Sequence, residues 1–255
     1  MRNNALPFTG TTLVLGIFAA FLRWLQNLNI YDEATGLARS GAGISIVLLL
    51  YAVACAAAFA ALAFVWLRRC DCPAGPEALK SPGLLPVAAA WLCAAVYVAC
   101  ALALLFSVTE LSGARLRRIF AAAAIFGGLC FPFLPQRAEG ASGINRVSAL
   151  VLPSVIAFSL VYYYITAVSA EPVLWRVAPT VLALAFAALG CLGVAGFLCG
   201  APRPRFTLLF LQLGAFFSLA VTFDSRPLWQ TAMLAAAAVM CLLLEWLIVY
   251  NLKEK

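Results

Sequence analysis

The sequence predicts an all-α, polytopic transmembrane helical bundle of about eight spans, a single integral membrane domain over residues 1–255. Three observations carry this. First, 65% of the 255 residues are hydrophobic and only 11% are charged, against roughly 25% charged in soluble domains. Second, the charged residues fall between apolar runs and rarely within them, a pattern at odds with a solvated globular surface. Third, residues 147–205 read as a transmembrane hairpin. An apolar run over 147–166 is followed by a short break with Glu171, Pro172 and Arg176, a second run over 177–198, and the stop Gly200-Ala201-Pro202-Arg203-Pro204-Arg205. Each run supplies about the 20 helical residues that a bilayer core requires. The break suits only a tight connection between antiparallel neighbours.

The remaining elements repeat that grammar. Helix one covers 11–28, after a tail carrying Arg2. Arg23, Trp24, Gln26 and Asn27 stand where a signal peptide would need small residues, so the helix is read as uncleaved. A polar, glycine-containing stretch over 29–43 leads to helix two, 44–67, which ends at Arg68-Arg69. The long loop over 70–83 is broken by Pro73, Pro76 and Pro82. Helix three is 84–108. Residues 109–118, with Arg115, Arg117 and Arg118, form a loop or a helical extension. Helix four, 119–134, is read as the weakest: it contains Gly127-Gly128 and Pro132 and stops at Pro135. It either spans a thin bilayer or re-enters against its neighbours. A polar loop over 136–146 precedes the hairpin. Helix seven is 206–223, then Asp224-Ser225-Arg226-Pro227; helix eight is 230–252, then Lys253-Glu254-Lys255. No loop is long enough to hold a separate soluble domain.

Eight helices allow two halves, 1–140 and 141–255. Ala58-Phe59-Ala60-Ala61-Leu62 in helix two matches Ala185-Phe186-Ala187-Ala188-Leu189 in helix six. Such halves would be parallel repeats about the membrane normal.

Composition excludes several chemistries. There is no histidine, so Ser-His-Asp and Cys-His catalysis, His-ligated haem and His-containing zinc sites are removed. The net charge of +7 is assigned to membrane orientation and anionic headgroups, and no nucleic-acid partner is expected. Of nine cysteines, seven lie in or beside apolar runs, where cysteine acts as a small hydrophobe. Cys70 and Cys72 form Cys-Asp-Cys in a loop, one residue short of a redox or zinc spacing, and are read as solvated and reduced. Asp32, Thr35 and Gly36 open like a calcium loop but lack its closing Glu. No cofactor, metal or disulfide is expected.

Several short motifs resemble one known family. They are Leu152-Pro153-Ser154 through Tyr162-Tyr163-Tyr164, Ser169-Ala170-Glu171-Pro172-Val173-Leu174, Ala195-Gly196-Phe197, Arg203-Pro204-Arg205, and Tyr31-Asp32-Glu33-Ala34-Thr35-Gly36-Leu37. The chain is similar here to an uncharacterised family of polytopic membrane proteins encoded in many clostridial gut bacteria. The resemblance implies a multi-spanning cytoplasmic-membrane protein and carries no activity.

The candidate intramembrane polar site comprises Glu245, Arg23, Tyr163 and Gln212. Glu245 is the one acid well inside an apolar run, about 12 Å of helix rise before Lys253. An ionisable group there points by default to function: a proton or cation site facing the bundle, against a hydrogen-bonded carboxyl that stabilises packing. Arg23 beside Trp24 reads as an arginine snorkelling to the headgroups, or as an anion or headgroup contact, with Asp32 and Glu33 of the next loop as candidate partners. Tyr162, Tyr163 and Tyr164 read as an interfacial belt or a hydrogen-bonding patch for a ligand. Ser154, Ser159 and Thr166 of helix five are expected to meet Gln212, Ser218 and Thr222 of helix seven across a packed interface. Gly196 and Gly200 have the spacing of a close helix approach.

These features favour a non-enzymatic membrane protein, either a small permease-like carrier or a membrane component of a regulatory or envelope system. Its partners are the lipid bilayer and a small-molecule or lipid ligand. The alternatives are an intramembrane enzyme on lipid substrates and a structural subunit of a larger complex; oligomeric state stays open. Positive residues set two topologies. Eight spans with a cytoplasmic amino terminus put ten Lys and Arg inside and six outside. Seven spans, with helix four re-entrant and the amino terminus outside, give the same counts. Both place the carboxyl terminus in the cytoplasm; eight spans are preferred because 119–134 holds no charge.

Overall fold

The computed structural model describes residues 2–30, 43–71, 73, 75–106, 114–135, 143–168, 174–224 and 226–254. The expected break at Glu171 and Pro172, the acidic stretch with Asp32 and Glu33, and Cys72 lie outside the described residues.

The protein is an all-α bundle. Its helices are α1 (Arg2–Ile30), α2 (Gly43–Val65), α3 (Leu84–Phe106), α4 (Ala114–Cys130), α5 (Gly143–Val168), α6 (Leu174–Leu198), α7 (Pro204–Ala220) and α8 (Leu228–Asn251). Seven of them are long and apolar enough to cross a membrane, which makes this a multi-pass membrane protein. The short one is α7, not the helix around 119–134 that reads as weakest in the sequence. Residues 114–118 join α4 as an extension of the helix, and a short 3-10 turn, Phe131–Phe133, continues it. Helices α4 and α7 each hold 17 residues, but α7 has no such continuation and covers about 26 Å at 1.5 Å per residue. Val221 to Phe223, apolar enough to be counted as helix, form the turn into α8.

Burial assigns the layers. The apolar window of α8 is 72% buried, that of α2 17%. A helix that is hydrophobic all round is either central or faces lipid, and these two are the extremes. The central α8 packs against α1, α3, α7 and α6. The sequence-adjacent pairs α3–α4, α4–α5, α5–α6 and α6–α7 form an arc beside it, while α2 rests on α1 and α7. Because α8 packs on α1 and α3, the two proposed halves interlock along its length.

Long-range pairs fix which helix ends share a face. Cys70 and Asp71, just after α2, form a two-residue antiparallel ladder with Glu254 and Lys253, just after α8. The Asn251 amide donates to the carbonyls of Ala78 (3.2 Å) and Lys80 (2.9 Å) in the loop after α2. At the other end Arg23 of α1 meets Asp224, just after α7. The starts of α4 and α8 and the end of α5 converge there through Phe120, Trp229 and Tyr162. A re-entrant helix four would put the ends of α2 and α8 on opposite faces. The ladder joins them, which fits a chain that alternates through eight helices. Cys70 itself is buried in that ladder, not a solvated loop thiol.

The α6–α7 contact shows why the glycines sit where they do. A Cβ on Gly214 of α7 would lie 2.9 Å from the backbone nitrogen of Ala187 in α6, so only glycine lets the two backbones come this close. Gly196 and Gly200 have a different task from the one their spacing suggests. Gly200 has φ +82° and the Ala201 amide donates back to the Gly196 carbonyl at 2.8 Å. This is the left-handed closure of a helix C-terminus, and it ends α6.

Candidate functional site

Glu245 lies in the last third of α8 and is fully buried. Two other helices supply donors. The Thr12 hydroxyl of α1 donates to Oε1 at 2.9 Å, and the Gln212 amide of α7 donates to the same oxygen at 3.3 Å. The Gln212 amide also lies 3.5 Å from the Thr12 hydroxyl. Glu245 Oε2 and Gln212 Oε1 have no hydrogen-bond partner among the described residues. The site is therefore a buried carboxyl with one oxygen served twice and the other without a partner among the described residues. Glu245 points into the bundle, away from lipid. It is not among the residues lining the cavity described below; Cys241, one turn earlier on α8, is.

Arg23 departs from the expectation of snorkelling. It is 2% exposed, and its Nε donates to Asp224 Oδ1 at 2.9 Å. Its Nη1 donates to Gln26 Oε1 at 2.6 Å, and the Gln26 amide donates to Ser45 at the start of α2. Trp24, next in sequence, turns outward. Asp224 is shared: Asn27 donates to Oδ1 and Arg226 Nη2 to Oδ2, each at 2.9 Å. The physical reason is position. The α7–α8 turn delivers a carboxylate to the side of α1, and a pairing there replaces the headgroup contact. Asp224 and Arg226 were not among the expected site residues. The signal was present as an acid and a base two apart in an apolar chain, but nothing local says that Arg23 packs beside them.

The tyrosine run divides. Tyr164 is 53% exposed, while Tyr162 and Tyr163 are buried. Tyr162 stacks on Phe120 of α4 with centroids 4.2 Å apart, and Tyr163 lies under the Arg226 guanidinium, 5.2 Å from Cζ to ring centre. Both line a cavity of about 40 Å³ between α8 and the α3–α6 arc. Its walls are mainly apolar and aromatic, with Tyr97, Ser159, Thr180 and Gln230 as polar points. Thr180 is fully buried and its hydroxyl has no partner among the described residues.

Among the described residues, most of the side chains expected at a seam between α5 and α7 also bond elsewhere. Ser154, Ser159 and Thr166 each donate to a carbonyl of their own helix. Thr222 bonds to Leu219, and Gln212 turns to Glu245. The helix between α5 and α7 is α6, which packs on both. The four expected site residues thus separate: Glu245 with Gln212, Arg23 with Asp224, and Tyr163 at the cavity beneath Arg226. No group of three or more Cys, Asp or Glu side chains able to hold a metal occurs among the described residues. No family model, curated protein or solved structure matches the chain.

Proposed function

We propose that this is a non-enzymatic, carrier-like membrane protein that takes a small, mainly apolar molecule into the cavity between α8 and α3–α6. The observation that carries the reading is the cavity wall: aromatic and aliphatic side chains with a few hydroxyls, one of them, Thr180, buried and without a partner. Ligand pockets combine apolar walls with a few placed polar groups in this way. The lining contains no carboxylate pair of the kind an enzyme acting on lipids would use. At about 40 Å³ the space has room for a few waters, at roughly 10–15 Å³ each, and suits something slender.

Trp229 lines the cavity and serves as reporter. With the other five tryptophans changed to Phe, 8-bromooctan-1-ol is expected to quench Trp229 saturably in nanodiscs. Ala237→Leu, which fills the wall, is expected to weaken that quenching at least fivefold (about 1 kcal/mol). Quenching that rises linearly and ignores Ala237→Leu would mean simple partition into the bilayer and end the proposal.

We further propose a bacterial cytoplasmic-membrane location with both termini inside. The Lys and Arg balance supports an internal carboxyl terminus under either count, and the ladder that joins the ends of α2 and α8 favours an internal amino terminus. Cys199 is exposed in the turn after α6, on the face of the carboxyl terminus. An impermeant maleimide is expected to label Cys199 only after permeabilisation. Labelling in intact cells would reverse the orientation.

A further inference from the structure

We propose that Arg226 converts the cavity into a site for a single-chain anionic amphiphile, with a carboxylate head on the guanidinium and the alkyl chain between α8 and α5. The inference rests on the carrier reading and names its ligand class.

Arg226 has a side chain only 8% exposed. Its Nη2 donates to Asp224, but Nη1 is buried and has no acceptor among the described residues. A buried donor without an acceptor is costly, and more so on a charged group. Asp224 does not relieve it. Oδ1 already accepts from Arg23 Nε and Asn27, and Oδ2 from Arg226 Nη2 and, at 3.4 Å, from Arg23 Nη2. The guanidinium carbon lies 5.2 Å from the Tyr163 ring centre, and the planar fork of an arginine suits a carboxylate.

Arg226 itself stands outside the cavity lining, and its neighbours link it to the cavity: Tyr163, beside the guanidinium, is a cavity residue, and so is Gln230, four residues after Arg226. From Trp229 to Cys241 the α8 wall runs twelve residues, about 18 Å of helix. Length with so little volume fits one alkyl chain and not the paired chains of a phospholipid. Arg226 lies at the membrane end of the bundle beside Arg23 and Asp224, where an anionic head would sit while its chain enters the bundle.

The single-tryptophan protein tests this with three probes at neutral pH. 8-Bromooctanoate is expected to quench Trp229 at about tenfold lower concentration than 8-bromooctan-1-ol, the factor a charge-assisted hydrogen bond supplies. Arg226→Gln should bring the carboxylate to the level of the alcohol. If that variant does not fold, unlabelled octanoate should still displace 8-bromooctan-1-ol from the unaltered site more effectively than octanol does. Equal affinity of carboxylate and alcohol overturns the anionic assignment but leaves the carrier reading standing. Failure of both to bind saturably removes that reading as well. Tighter, Arg226-dependent quenching by a phosphatidylglycerol brominated on both chains would overturn the single-chain assignment in favour of a bilayer lipid.

Discussion

Asp224→Ala is expected to destabilise the protein by about 3–5 kcal/mol, the penalty typical of removing one partner from a buried ion pair. Asp224 accepts from Arg23, Asn27 and Arg226, and both guanidinium side chains are 8% exposed or less. Without the carboxylate, Arg226 loses its one hydrogen-bond acceptor among the described residues, and Arg23 and Asn27 each lose a contact. Asp224→Asn keeps the shape and one acceptor oxygen, so its loss should be smaller. The comparison is made by thermal denaturation of detergent-solubilised protein followed by size-exclusion chromatography. A melting temperature for Asp224→Ala equal to that of the unaltered protein would show that the cluster contributes nothing to the fold.

That cluster also shows where the sequence stops being informative. Each helix was legible because a run of about 20 apolar residues leaves the backbone one way to satisfy its hydrogen bonds in lipid. Arg23, Asp224 and Arg226 were each visible as charges near helix ends. Their meeting was not, because Arg23 and Asp224 are 201 residues apart, and helices that are apolar all round carry little information about their neighbours. The hydrophobic pattern places α2 and α8 in the membrane equally well; only packing makes one peripheral and the other central.

The topology follows the same rule. Charge counts were equal for seven and eight spans, since moving helix four exchanges equal numbers of basic residues between faces. The two-residue ladder after α2 and α8 favours eight, yet Cys70-Asp71 and Lys253-Glu254 carry no pairing signal that a reader of the sequence would use. The misjudged length of α7 has a local cause: Val221, Thr222 and Phe223 suit either a helix or an apolar turn, and the Val221 and Thr222 amides close that turn on Phe217 and Leu219.

Glu245 was legible as the single acid in an apolar run, and its substitution has the other large expected effect. Glu245→Ala removes the acceptor that Thr12 and Gln212 share and leaves a void between α1, α7 and α8. Loss of buried side-chain volume together with orphaned donors is expected to cost about 2–5 kcal/mol. Glu245→Gln fills the same space and keeps a carbonyl oxygen for Thr12, so it is expected to lie within about 1 kcal/mol of the unaltered protein. The pair separates support from chemistry. If the carboxyl only braces three helices, Glu245→Gln binds 8-bromooctan-1-ol and melts as the unaltered protein does. If Oε2 carries a proton or meets a cation during the working cycle, Glu245→Gln keeps its melting temperature and loses proton- or sodium-driven uptake of octanoate into proteoliposomes. Thr12→Val, which removes the 2.9 Å donor and little volume, should weaken the same contact by about 1 kcal/mol. A Glu245→Ala protein as stable as Glu245→Gln would show that the three-helix contact does not hold the bundle together.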